Sequence, residues 1–455
     1  MKTLRPYSIP VLVFILGTFL IGLFDGTGDH GDSVQHFLIA KNSWKNPSLF
    51  FDHWGKPLFT LLASPFAQFD WLGMKLFNLL LFCGSLWFVH RMSDKTGGNP
   101  VLGQILLIGC PLLFPQIFSG LTEFLFAFIL LWALWMCFRD GFLQGAILLS
   151  FLPFVRSEGW IMIILSIPFF LLLKKWKQLP WLLLGTVTYS IIGWPVTGNP
   201  LWVFTQTPYV NHGDNYGNGS FSHFANQLFY WCGPLVCLAF AMGIVVSLSR
   251  WKHFTLHRLW ILSIIIGYVG AHSIFWSTGI FHSMGLARVM IAVFPFLAIV
   301  GSWAISQETT QRKWQKVLLP LFCLAVLLFP LSTKKKRQRF KASLELHQSQ
   351  KDLNAFIAKA KDLPNLEKKK LRTEAPWARY LWEKESREYE GMHSSEWQTG
   401  DLILLEPYFS ELEGGITKTY LQDRGARLIL PQNAEFSHEQ PTLWLIDSEF
   451  RKEPK

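Results

Sequence analysis

The sequence is short of charge. Only 16% of its 455 residues are Asp, Glu, Lys or Arg, against about a quarter in a soluble domain, which excludes an ordinary water-soluble fold for most of the chain. Cysteine is scarce as well. The six cysteines (Cys83, Cys110, Cys137, Cys232, Cys237 and Cys323) all lie inside apolar stretches at no metal-ligand spacing, which argues against a disulfide framework. No internal repeat and no nucleic-acid motif is present. Gly26-Thr27-Gly28 is too short for a phosphate-cradling loop, so a nucleotide-sugar site is not indicated. The apolar run near the N-terminus follows a basic start but precedes no small-residue cleavage site, and it reads as a first transmembrane helix instead of a signal peptide.

What the chain has in excess is apolar surface. Half of it is hydrophobic, including 40 Phe and 21 Trp, and its mean hydropathy is +0.26. As far as about Leu331 the apolar residues form blocks of roughly 17–24, enough to cross a bilayer as helix. Eleven spans are predicted, at 8–24, 72–91, 99–116, 119–138, 142–156, 159–174, 178–196, 226–249, 257–277, 283–304 and 314–331. Trp71, Trp160, Trp176, Trp194, Trp202 and Trp260 sit at block ends, as interfacial anchors do. Pro57–Asp70 is apolar but too short to span and reads as a juxtamembrane or re-entrant element.

With a cytoplasmic N-terminus, the inner loops collect most of the cations, among them Arg91, Lys95, Arg139, Lys174, Lys175, Lys177 and Arg258, while the outer loops carry few. This asymmetry accounts for the net charge of +11 without nucleic acid as a partner. One run disobeys it: Lys334-Lys335-Lys336-Arg337 follows the last span and falls outside. Either the run binds anionic headgroups on the outer leaflet, or one span is misassigned. The expected organisation is a transmembrane domain over 1–331, with a large outer loop at 25–71, and a soluble α/β domain over 332–455. In that tail a helix is predicted over 340–361 and strands at 402–405, 427–430 and 443–446. The fold class is mainly α and polytopic.

Ionisable groups at membrane ends need a partner or a wet cavity, and five patches of them share the predicted outer side. They are Asp25-Gly-Thr-Gly-Asp29-His30-Gly-Asp32-Ser33-Val34-Gln35-His36, then Asp52-His53-Trp54-Gly55-Lys56-Pro57-Leu58, then Thr122-Glu123, then Arg156-Ser157-Glu158, and finally His282 through Arg288. Lys and Arg suit phosphate, and a carboxylate beside a sugar hydroxyl can act as general base. His30, His36, Asp52, His53 and His282 share that side, which leaves a divalent metal open, although histidines in such loops are more often ordinary polar residues.

The order of these patches resembles the GT-C superfamily of integral-membrane glycosyltransferases, which includes protein O-mannosyltransferases, the mannosyltransferases of GPI and N-glycan assembly, and the aminoarabinose transferase of lipid A. His30-Gly31-Asp32-Ser33-Val34-Gln35 is similar to that family's acidic first-loop motif, with Gly for Pro and Ser for Glu. Lys56-Pro57-Leu58 is similar to its Lys-Pro-Pro-Leu element. Glu123 matches an acid near the fourth helix, and Arg288 through Pro295 matches a late Arg…Pro pattern. The resemblance implies an inverting glycosyltransferase that moves a mannose-like hexose or related sugar from a polyprenyl-phosphate donor to an acceptor hydroxyl. Asp32 would be the base, and Glu123, the other residue counted as catalytic, would position sugar hydroxyls or the acceptor. Lys56 and Arg288 would bind the donor phosphate. Asp29, Asp52, His53, Arg156, Glu158 and His282 would position substrate. The partners would be the lipid-linked donor and membrane lipids. Short inter-helix loops and a compact tail favour a bacterial inner membrane with the site facing the periplasm. The alternatives are a transporter or flippase of a lipid-linked glycan, and an assembly protein whose tail binds a partner.

Overall fold

A computed structural model of the chain describes residues 5–207, 217–249, 255–305, 315–366, 369–382, 397–413, 415–431, 440–447 and 450. Its membrane portion is helical because the apolar blocks leave the backbone no partner but itself in lipid. Among the described residues three helices are long and apolar enough to cross a bilayer, namely Asp70–Lys95, Trp176–Thr197 and Leu256–Thr278. Shorter apolar helices at Ser8–Leu23, Glu123–Phe138, Phe142–Phe154 and Gly159–Leu172 pack with them. Asp70 opens and Lys95 closes a 26-residue helix, an arrangement that complements its dipole. In the core, Phe169 stacks flat on Trp260 with centroids 4.8 Å apart, and Phe82 meets Phe124 edge to face.

Several predicted spans are interrupted. The segment 226–249 is two helices, His223–Cys232 and Pro234–Ser249, bent by 113°. Gly233 supplies the bend with φ +87, a conformation open to glycine, and Pro234 cannot continue the preceding helix. The outer piece exposes Phe229 and Tyr230. The segment 99–116 is helical only over Pro100–Ile108 before the Gly109–Pro111 break, with a separate turn at Leu113–Gln116. Between 283 and 304, a tight turn at Ala287–Ala292 precedes the helix Phe294–Ser302. The first outer loop is partly helical too, over Asp32–Asn42 and Pro57–Ala67.

The ends of the helices sort into two sets. At the end expected inside, the Arg258 guanidinium donates to the Thr96 carbonyl at 2.6 Å and Trp303 Nε1 donates to Thr96 Oγ1 at 2.8 Å. The first loop, the start of Glu123–Phe138, the 156–158 turn and Arg288 gather at the other end, and the tail joins them there. Gly26 N–H donates to the Leu344 carbonyl at 2.8 Å, and Gln350 bonds Thr27. Trp71 packs on Phe37 at 4.5 Å, and Tyr380 meets both rings edge-on. The tail and its Lys334–Arg337 run therefore lie at the same end of the helical bundle as Asp29 and Asp32.

The tail begins with two helices, Lys334–Ala342 and Gln348–Lys361, where a single one was predicted; a capping box at His347 and Gln350 restarts the second. Its sheet has the order β1 (Leu371–Arg372), β2 (Leu402–Leu405), β4 (Thr442–Leu445) and β3 (Arg427–Leu430). β1 runs parallel to β2, and the other pairs are antiparallel. The two-residue β1 was not anticipated.

Candidate active site

The site starts from a strap, 25–31, laid across the bundle end. Gly28 has φ +79, and a Cβ there would stand 2.3 Å from Ser119 Cβ, so only glycine allows this approach. The strap turns into the helix Asp32–Asn42 through Asp29, whose Oδ1 accepts the N–H groups of Gly31 at 3.0 Å and Ser33 at 2.9 Å. These are donors a helix start would otherwise leave unpaired. Ser33 Oγ accepts the Gly120 N–H at 2.7 Å and donates to the Thr27 carbonyl. Strap, helix start and the irregular 119–122 segment are thereby fastened together.

From there a chain of opposite charges runs inward. Asp29 Oδ2 pairs with Arg288 Nη1 at 2.5 Å, and Asp32 pairs with Arg288 Nη2. Arg288 Nε lies 3.6 Å from Glu123 Oε1. The same oxygen accepts Arg156 Nη1 at 2.6 Å, and Arg156 Nη2 bonds Glu158 at 2.7 Å. Next to it, Lys56 Nζ donates to Ser157 Oγ at 3.1 Å. Lys56 has a left-handed backbone, φ 64, uncommon for a residue with a side chain; the turn before it is braced by Asp52 Oδ1, which accepts the Gly55 N–H at 2.6 Å. His53 Nε2 lies 3.0 Å from the Val203 carbonyl. A carbonyl can only accept, so that nitrogen carries the proton.

These groups line a cavity of about 660 Å³ between the bundle end and the first loop. Asp32, His53, Lys56, Glu123, Arg156, Glu158 and Arg288 all border it, with His36, Trp54, Phe224 and His272. Several buried polar atoms of these residues have no partner among the described residues: Glu123 Oε2, His36 Nδ1, His53 Nδ1 and His272 Nε2. Unsatisfied buried polar atoms are rare in native proteins and mark a place for water or a ligand.

Burial pushes the Asp29 carboxyl up to about 6, against the opposing pull of Arg288. Burial also brings the Lys56 ammonium down to about 8. Glu158 goes the other way. Burial favours its neutral form, but Arg156, together with His272 and the hydrogen bonds it accepts, outweighs that and holds it at about 2. His36 is lowered to about 3 by burial and is a neutral imidazole.

Two solved structures share this architecture. ArnT from Cupriavidus metallidurans in the apo state matches with a TM-score of 0.63 at 11% identity, over 96% of this chain and 97% of that one. The same protein bound to undecaprenyl phosphate matches with a TM-score of 0.58 at 10% identity, over 97% of each chain. The chain has the ArnT fold. No family model matches the sequence, and no curated protein does.

Within this ArnT fold most of the sequence-predicted groups meet. Asp29 reaches the cluster through Arg288, while Asp52 serves as a loop brace. The His282 side chain lies outside the described residues. The supposed metal set is dispersed: His30 stacks on His347 at 4.4 Å, His36 on Trp54 at 4.6 Å, and His53 is tied to Val203. Among the described residues no three His, Cys, Asp or Glu side chains are placed to hold a metal ion. The sequence reading passed over His272 and Tyr268, whose rings meet at 4.5 Å beside the cavity end of Leu256–Thr278. A histidine inside an otherwise apolar span was the available signal.

Proposed function

We propose that the protein is a glycosyltransferase of the ArnT type, moving a sugar from a polyprenyl-phosphate donor to an acceptor hydroxyl at the tail-bearing membrane face. The observation that carries this is the single cavity where Asp32, Glu123 and Glu158 meet Lys56, Arg156 and Arg288. A lipid phosphate needs buried cations, and a hydroxyl nucleophile needs a base. ArnT bound to undecaprenyl phosphate supports the choice of donor.

The roles follow from exposure. The Asp32 side chain is 45% exposed and that of Glu123 is 2% exposed, so Asp32 is the carboxylate an incoming hydroxyl can reach. At rest Arg288 occupies Asp32. The donor phosphate draws the guanidinium to itself, leaving Asp32 free to accept the acceptor's proton. The acceptor oxygen then bonds the anomeric carbon from the face opposite the phosphate, and the carbon–oxygen bond to phosphate breaks. The bonding pair departs with the polyprenyl phosphate. One displacement gives inversion. Lys56 and Arg288 stabilise the charge that grows on the leaving phosphate, and Glu123 Oε2 accepts from a sugar or acceptor hydroxyl.

The test is release and transfer of labelled sugar from a polyprenyl-phosphate hexose by the purified protein in detergent, where no sealed membrane exists and a transporter releases nothing. Asp32→Asn is expected to cut kcat by about 10²–10⁴ with donor binding retained. Transfer at the parental rate by that variant refutes Asp32 as the base.

A further inference from the structure

One part of the surface is not used by this chemistry. The helix Lys334–Ala342 carries six cations, Lys334, Lys335, Lys336, Arg337, Arg339 and Lys341, and no acid. It turns by 68° away from the end of the apolar helix Val317–Leu331, on the face that carries the tail. Lys341 meets Glu345 at 3.7 Å. Lys334, Lys335 and Arg339 meet no carboxylate among the described residues. Directly beneath lies an open apolar groove of about 440 Å³, lined by Leu235, Ala325, Leu328, Phe329, Leu331 and Ser332. Cations and groove are joined: Lys336 Nζ donates to Ser332 Oγ at 3.1 Å and sits 3.4 Å above the Phe329 ring. Leu328 and Leu331 stay exposed along the groove.

We infer that this groove and the Lys334–Ala342 helix together form a binding site for an anionic membrane phospholipid, with an acyl chain along Leu328 and Leu331 and the phosphate among Lys335, Lys336 and Arg339. Two features point to a lipid. The site is amphipathic in the order a phospholipid is, apolar at bilayer depth and cationic where the span leaves it. Its charge also sits on the face where loop cations are otherwise few, so it does not serve the usual orientation rule. A polybasic segment immediately outside a span gains affinity for an anionic leaflet with each cation, about fivefold apiece at low salt, and loses it as salt screens the charge.

The experiment titrates the purified full-length chain with dioleoyl phosphatidylglycerol and, separately, dioleoyl phosphatidylcholine, reading bound lipid by native mass spectrometry. The parent is expected to hold one phosphatidylglycerol at least tenfold more tightly than phosphatidylcholine. Replacing exposed Lys334, Lys335 and Arg339 together with Gln should remove that preference. Ala325→Trp, which fills the groove and leaves the charges, should weaken both lipids; the two variants fail differently, so a folding defect in one does not mimic the result. Equal retention of the two lipids by the parent, or an undiminished preference in the charge variant, overturns the inference. Displacement of the bound lipid by millimolar glycerol phosphate also overturns it, because the site would then be one for a soluble anion.

Discussion

Arg156 is the hinge of the charge chain, and its removal gives the most quantitative test of the site. Its side chain is 15% exposed and bonds Glu123 at 2.6 Å and Glu158 at 2.7 Å. Arg156→Leu leaves Glu123 with only the 3.6 Å contact to Arg288 and strips Glu158 of the cation that holds it at about 2. Breaking a buried pair by deleting one partner costs about 3–5 kcal/mol, because the surviving charge stays uncompensated. At about 2 °C per kcal/mol for a large chain, the midpoint should fall by about 6–10 °C. None of the six cysteines is exposed, so a thiol-reactive dye reports unfolding directly. The double variant Arg156→Leu/Glu123→Leu should recover about 1–3 kcal/mol of the loss, the coupling expected of side chains in direct contact. The pH dependence has a definite sign. Glu158 is depressed in the fold, so the stability it gains from Arg156 is complete above about pH 4.5 and is lost as pH falls towards 2. In Arg156→Leu that carboxyl rises, and the variant should close part of the gap as the solution is acidified. A single variant within 1 kcal/mol of the parent, or a strictly additive double variant, refutes the buried chain of charges.

Three further outcomes are expected. Because burial brings Lys56 to about 8, kcat/KM for the donor should decline above that pH, and Lys56→Arg should move the decline to higher pH; an unchanged alkaline limb removes Lys56 from phosphate binding. Gly28→Ala should slow turnover and cost about 1–3 kcal/mol, since φ +79 and the 2.3 Å approach to Ser119 admit no Cβ; full activity would mean that the strap does not position Asp29 and Asp32. Impermeant labelling of single-cysteine reporters in intact cells should find Lys45, in the first loop, and Gln348, in the tail, on the same side of the membrane, and opposite sides would contradict the Gly26–Leu344 and Thr27–Gln350 contacts.

Much of this was readable from residue types alone, for identifiable reasons. Long apolar runs betray helices because lipid forbids any other open backbone, and the tail strands at 402–405 and 427–430 show as short apolar runs between turns. The break at Gly233-Pro234 was equally readable as a turn signal, but averaging hydropathy over 226–249 conceals it. The site's membership was legible because ionisable residues at membrane ends are costly, so their positions were conspicuous. Its pairing was not. Arg288 meets Asp29 and Asp32 across about 256–259 positions of sequence, and nothing local distinguishes those acids from Asp25 or Asp52. The same holds for His30 against His347 and for Lys56 against Ser157, contacts that exist only once the helices are assembled.

The docking of the tail on the first loop sets an order of events during synthesis. Gly26 leaves the ribosome early, yet its backbone partner Leu344 is made 318 residues later, and Phe409, whose ring lies against Gly31, later still. At about 5–20 residues per second that interval is roughly 15–60 s. During it the strap bearing Asp29 and Asp32 waits at the membrane surface without its cover. A chain cut short between Arg288 and the tail therefore carries every acid and cation of the cavity and still lacks the cover that holds the strap, so such prematurely terminated products should be poor catalysts and ready substrates for proteolysis.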